Sequence, residues 1–255
     1  MSSPPHTLAA NLAAPDWPEP VVVLNETGSS PIVLICEHAS NHIPAEYGQL
    51  GLTPSSLREH IAWDIGAAEL TRALSRRLDA AAFLGTYSRL LIDLNRPLGS
   101  STSIPLVSEG RQIPGNHDLS REEAQKRAGL IFTPFHNRVG AFVSARKDSH
   151  QPITILAIHS FAPVFHGVPR PFHVGVVFDK SFTLALNILG RLRAHGGIIA
   201  EANVPYQIHP DEDYAIPVYA TAEDIPGALI EIRNDCIADS KGVDLWTNYL
   251  VEALG

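Results

Sequence analysis

Three short apolar runs end abruptly in residues that can bind a metal or move a proton. Residues 31–36 (PIVLIC) run into Glu37-His38, residues 153–158 (ITILAI) into His159-Ser160, and residues 228–230 (ALI) into Glu231-Ile232-Arg233. Runs of this length, rich in Val, Ile and Leu, read as strands buried on both faces, the kind found in parallel sheets. Weaker strand patterns fall at 21–24, 81–87, 90–94, 173–179 and 197–202. Helical spacing appears between them. Ile65, Ala68, Leu70, Leu74 and Leu78 form a rough stripe over 65–78, Ser181 to His195 precedes a Gly196 stop, and residues 239–254 are amphipathic. Ser120 and Glu123 have capping-box spacing and open a helix reaching about 145, bent near Pro134. Thr53-Pro54 predicts a short helix. Strands alternating with helices predict an α/β fold, a three-layer α/β/α sandwich with a mostly parallel sheet. We expect one domain over 21–255 behind an irregular, proline-rich arm at 1–20.

In open α/β sheets, ligands bind beyond the carboxyl ends of the strands. If the three strong strands are parallel neighbours, His38, His159 and Glu231 converge on one crevice. Two histidines and carboxylates in one cleft suggest a catalytic zinc site. Three residues compete for the acidic or third ligand position: Asp64, which also suits a helix N-terminus after Trp63, Asn41 and Glu37. His42 lies four residues beyond His38, but Pro44 argues against the helix such a pair needs. Glu231 and Arg233 share a strand face. They read either as a structural ion pair or, for Glu231, as a general base near a metal-bound water, with its pKa tuned by the cleft. Arg89, Asp93 and Asn95 share parity on the expected 90–94 strand, with Arg96 just past its end. A guanidinium there suits a carboxylate, or it braces a loop.

Composition narrows the field. With 45% apolar and 18% charged residues, the chain can bury a substantial core, and a net charge of −8 argues against nucleic acid or an anionic membrane as partner. Two cysteines make no disulfide framework, no signal-peptide pattern opens the chain, and no run of about 18 apolar residues exists. These features point to the cytoplasm. Nucleophile-elbow, P-loop, dinucleotide-binding and C-x-x-C patterns are absent.

Over about residues 31–235 the chain resembles the N-formylglutamate amidohydrolase family. The carriers are His38 with Ile43-Pro44 behind it, Trp63-Asp64, Tyr87-Ser-Arg89, Ile92-Asp93-Leu-Asn95-Arg96-Pro97, Pro134-Phe135-His136, Ile158-His159-Ser160 and Ile230-Glu231-Ile-Arg233. That family is similar to zinc carboxypeptidases and zinc N-acetylmuramoyl-L-alanine amidases, so the resemblance implies a carboxypeptidase-like sandwich. It also implies His38, Asp64 and His159 as Zn²⁺ ligands and Glu231 as catalytic base. The H-x-x-E pair of carboxypeptidases is missing, because position 41 is Asn, and Cys-Glu-His-Ala-Ser stands where better-known deformylases have Pro-His-Ser-Gly. The chain therefore looks like a divergent branch.

The resulting expectation is hydrolysis of a small anionic N-acyl amino acid, N-formyl-L-glutamate first. Arg96 would take the α-carboxylate, with Arg89, Arg170 or Arg233 as alternatives, and Asn95 and His136 would line the pocket. The competing readings are a zinc amidase or carboxypeptidase on peptides or cell-wall fragments, and a non-catalytic binding protein on the same scaffold. Another divalent transition metal would suit the same ligands.

Overall fold

A computed structural model of the chain describes residues 17–255. Of the irregular arm expected over 1–20, residues 1–16 lie outside the described residues; residues 17–20 carry no helix or strand. The strands among the described residues are β1 (Val21–Leu24), β2 (Ile32–Cys36), β3 (Ala81–Gly85), β4 (Val107–Ser108), β5 (Arg111–Gln112), β6 (Thr154–Phe161), β7 (Val164–Phe165), β8 (Val168–Pro169), β9 (Val174–Val177), β10 (Ala200–Ala202) and β11 (Gly227–Arg233). The α-helices are α1 (Ala67–Leu78), α2 (Arg121–Arg127), α3 (Thr133–Asp148), α4 (Phe182–Ala194) and α5 (Ser240–Leu254).

Seven strands make one sheet in the order β1-β3-β2-β6-β11-β9-β10. The central four, β3, β2, β6 and β11, are parallel, β1 and β9 join antiparallel, and β10 runs parallel to β9. The strong apolar runs are thus three consecutive parallel strands. Their alternation serves two cores. Leu34, Leu156 and Ile230 face α1, α4 and α5, whereas Val33, Ile155 and Leu229 face α3 and the loops packed beside it. No helix of the described residues is long and apolar enough to cross a membrane.

Several elements differ from the sequence expectation. The 90–94 segment is a turn, not a strand. Its leucines are buried, which mimics a core strand, but its backbone is satisfied by side chains. Asn116 Nδ2 donates to Leu90 O at 2.8 Å and Arg127 Nη1 to Leu91 O at 3.1 Å. The shared strand parity of Arg89, Asp93 and Asn95 therefore does not exist. Instead Arg89 Nη2 meets Asp93 Oδ2 at 3.3 Å across the turn. α1 begins at Ala67, behind Gly66 at φ 81°, where an added Cβ would sit 2.2 Å from Ile237 O. Only glycine tolerates both conditions. Asp64 is consequently not the helix cap. The helix expected over 120–145 is α2 and α3 joined by a π-turn at Ala128–Phe132, with Ser120 Oγ capping Glu123 N at 3.2 Å. The Thr53 helix shrinks to a 3-10 turn at Ser56–Arg58.

Two buried groups on this second face hold the loops in place. Arg127, 1% exposed, also bonds Asn116 Oδ1 at 2.8 Å and Glu123 Oε1 at 3.0 Å. His136, on α3, donates from Nε2 to Leu94 O at 2.8 Å and accepts at Nδ1 from the Tyr219 hydroxyl at 2.7 Å. Burial pushes the His136 pKa down to about 4.

Replacing Arg127 with Leu strands the Leu91 and Asn116 acceptors. It should cost about 2–4 kcal/mol in a urea unfolding titration; a cost below 0.5 kcal/mol would remove Arg127 from this role. His136 has a folded pKa below its unfolded value, so the unfolded chain binds the extra proton first. Stability is full above about pH 6.5 and falls by up to about 3 kcal/mol as pH drops toward 4. His136→Gln should flatten that acid slope, measured as unfolding free energy against pH.

Candidate metal centre

The parity that places Ile155 and Leu229 on the α3 side continues to His159 and Glu231, which are register partners on adjacent parallel strands. His38 follows β2, the strand on the other side of β6. Asp64 is brought in by its backbone: its N–H donates to His38 O at 2.9 Å, and Ser160 N–H donates to its Oδ2 at 3.2 Å. All four side chains are at least 95% buried, with exposures of 3% for His38, 1% for Asp64, 3% for His159 and 5% for Glu231.

His38, Asp64 and His159 each offer a ligand atom, and these atoms lie within 4.8 Å of one another. Both histidines turn Nδ1 toward Asp64 Oδ2, at 3.5 Å from His38 and 2.9 Å from His159. Their outer nitrogens are held by carboxylates. His38 Nε2 donates to Asp93 Oδ1 at 2.7 Å and His159 Nε2 to Glu37 Oε2 at 3.0 Å. A proton engaged outward leaves the Nδ1 lone pair facing inward, the arrangement that orients metal-binding imidazoles. His38 Nδ1 is buried and makes no hydrogen bond. Two such nitrogens facing a carboxylate oxygen fit a divalent cation.

Electrostatics separate the carboxylates. Burial raises the Asp64 pKa, but the two histidines outweigh it and hold the group ionised, well below the usual range. Glu231 receives less compensation, and burial pushes it up to about 7. Its Oε2 is buried without a partner. Burial opposes charge on His159, yet Glu37 and Asp64 more than offset it, so its pKa is raised. In the absence of a cation a second proton on Nδ1 would bridge His159 to Asp64, and a metal ion bound there would displace it.

The cluster opens into a cavity of about 410 Å³ lined also by His60, Arg89, Asn95, Arg96 and, from the 204–216 loop, Tyr206 and Asp213. No residue of the 98–117 loop is among the lining residues. Arg89 is tied to Asp64 Oδ1 and Asp93 Oδ2, both at 3.3 Å. Asn95 Oδ1 accepts from Tyr214 N and Ala215 N at 3.1 and 3.0 Å, pinning the loop.

Other sequence candidates lie elsewhere. Asn41 Nδ2 donates to Leu57 O, and Glu37 is the outer partner of His159. His42 is absent from the cluster. His136 is buried with both ring nitrogens engaged. Arg170 stacks on Phe161, Phe165 and Tyr206, and Arg233 braces the carbonyls of Arg170, Pro171 and Phe172 and pairs with Asp235. The Glu231–Arg233 ion pair considered from sequence does not form. None of His136, Arg170 and Arg233 lines the cavity.

Sequence reading missed His60. It is 9% exposed, its Nδ1 lies 3.7 Å from Asp64 Oδ1, and burial lowers its pKa to about 4, leaving it neutral. Its i, i+4 spacing from Asp64 was visible, but only a helical turn through Trp63 would have given that spacing meaning.

The sequence matches no curated protein. Among solved structures, the gene product Atu2144 from Agrobacterium tumefaciens is 33% identical, with a TM-score of 0.91 over 95% of this chain and 96% of that one. N-formylglutamate amidohydrolase from Ralstonia eutropha JMP134 is 20% identical, with a TM-score of 0.67 over 92% and 96%, and shares the fold. The sequence profile of the N-formylglutamate amidohydrolase family matches residues 30–238, which span both strand-end histidines and Glu231. This chain belongs to that family of hydrolases acting on amides.

Proposed function

We propose that the protein is a zinc-dependent amidohydrolase of N-acyl amino acids, cleaving N-formyl-L-glutamate to formate and L-glutamate. The observation that carries this reading is the inward-facing set of His38 Nδ1, Asp64 and His159 Nδ1, braced from outside by Asp93 and Glu37, with the orphaned Glu231 Oε2 in the same cleft. The described residues supply three ligands to this cluster. Three protein ligands and an open position characterise catalytic zinc, whereas structural zinc is closed by four. That count favours an enzyme over a binding protein on the same scaffold. A cavity of about 410 Å³ with a loop folded along it favours a small substrate over a polymer. The two free cysteines suit a cytoplasmic enzyme.

His38, Asp64 and His159 would hold the zinc, which supplies Lewis-acid activation of water and polarisation of the scissile carbonyl. Glu231 Oε2 takes the proton from water as the oxygen attacks the formyl carbon. The same carboxyl then hands that proton to the departing amine nitrogen. A pKa near neutrality suits both halves of this shuttle. Arg96 receives the substrate α-carboxylate, and Asn95 holds the 204–216 loop against the cavity. Glu37 and Asp93 fix the ring orientation and tautomer of the two histidines.

Zinc-loaded protein should release formate from N-formyl-L-glutamate, and Glu231→Gln should lower turnover by about 10³-fold or more while still binding one zinc by equilibrium dialysis. A Gln variant with unchanged turnover removes Glu231 from the proton shuttle. No formate from metal-replete protein overturns the substrate assignment, and a panel of N-acetyl amino acids and dipeptides then locates the substrate. Glu37→Gln should weaken zinc binding about 10–100-fold in a chelator competition; an unchanged affinity would separate Glu37 from the metal site.

A further inference from the structure

The arginines lining the cavity are Arg89 and Arg96, and they are committed differently. Arg89 spends both terminal nitrogens on buried carboxylates. Arg96 concentrates its bonds on one nitrogen. Nη1 donates to Asp213 Oδ1 at 2.5 Å, Glu212 O at 2.9 Å and Asn95 O at 3.4 Å. Among the described residues, nothing bonds its Nε or Nη2. The side edge of the guanidinium, which can grip a carboxylate at two points, is therefore open.

Asp213 is built into the wall rather than dangling from it. Its Oδ2 accepts from His209 N–H at 2.9 Å, and His209 O accepts from the N–H groups of Glu212 and Asp213 at 2.9 and 2.8 Å. The next two residues, Tyr214 and Ala215, are held by Asn95. Consecutive residues Asn95 and Arg96 thus grip consecutive parts of one loop, the first through a neutral amide and the second through charge. The Arg96 and Asp213 side chains are only 27% and 17% exposed, so their pairing is partly shielded from water.

We propose that Asp213 is the specificity-determining counter-charge of a carboxylate subsite on Arg96: it occupies one nitrogen of the guanidinium, leaves the side edge to the substrate carboxylate, and sets how tightly an anionic group is held there. This rests on the reading of the chain as a hydrolase of N-acyl amino acids. Two carboxylates on one guanidinium repel each other, so removing the protein's own charge strengthens the hold on the substrate's. An uncharged ligand of the same shape gains nothing.

The test is calorimetric and does not need turnover. N-formyl-L-glutamate and its neutral diamide are titrated into zinc-loaded Glu231→Gln protein, alone and combined with Asp213→Asn or with the charge-keeping Asp213→Glu. The expected result is about fivefold tighter binding of N-formyl-L-glutamate in the Asn variant, no gain for the diamide, and no gain in the Glu variant. Equal changes for both ligands, no change, or no binding of either ligand to any variant overturns the proposal. Charge-selective tightening without formate release by the unsubstituted enzyme leaves this subsite standing and removes the proposed substrate. Formate release without selective tightening does the reverse.

Discussion

Asp64 is the charge on which the cleft depends. A carboxylate that is 1% exposed is costly unless its environment compensates it. Here the compensation comes from four directions: His38 and His159 at Oδ2, Arg89 at Oδ1 and the Ser160 N–H at Oδ2. Each partner is held in turn by another group. Asp93 grips His38 and Arg89 together, and Glu37 grips His159. The result is a closed set of acidic and basic side chains, each held by the next.

The sheet supplies the rigidity this arrangement needs. β2, β6 and β11 are adjacent and parallel, so their carboxyl ends share one edge. Register sets His159 level with Glu231, and strand parity turns both toward the same face. Gly66 lets the chain turn immediately after Asp64 into α1, which frees the carboxylate from capping duty. The two buried carboxylates lining the cavity, Asp64 and Glu231, then acquire opposite characters. The histidine contacts outweigh burial at Asp64, whereas burial dominates at Glu231. Different environments thus push apart the pKa values of two similar groups in a single cleft.

Much of the fold was legible in the sequence. The three apolar runs announce buried parallel strands, and their polar endings mark the sheet edge at which the cavity lies. The helices at Phe182–Ala194 and Ser240–Leu254 followed from spacing and end signals. The misreading at 90–94 has a clear cause: buried leucines look alike whether their backbone pairs with a strand or is satisfied by Asn116 and Arg127. The candidate site was legible where a polar residue ends an apolar strand, as for His38, His159 and Glu231, which the structure brings to one cavity. It was opaque where a long side chain can turn two ways. Arg96 and Arg89 reach the cavity, while Arg170 and Arg233 brace loops, and nothing local to those residues distinguishes them.

The sequence by itself determined the layered α/β class, the strand ends that converge on one cavity and the family to which the chain belongs, because periodicity and strand-end residues are local properties. The tertiary structure alone decided which of Glu37, Asn41 and Asp64 faces the two histidines. It also decided that Glu37 and Asp93 stand behind the rings, that His60 enters the cleft, and that Asp213 meets Arg96. These are contacts between residues up to 122 positions apart. They depend on strand order, register and loop closure, which the packing of the whole chain selects and no short window of sequence contains.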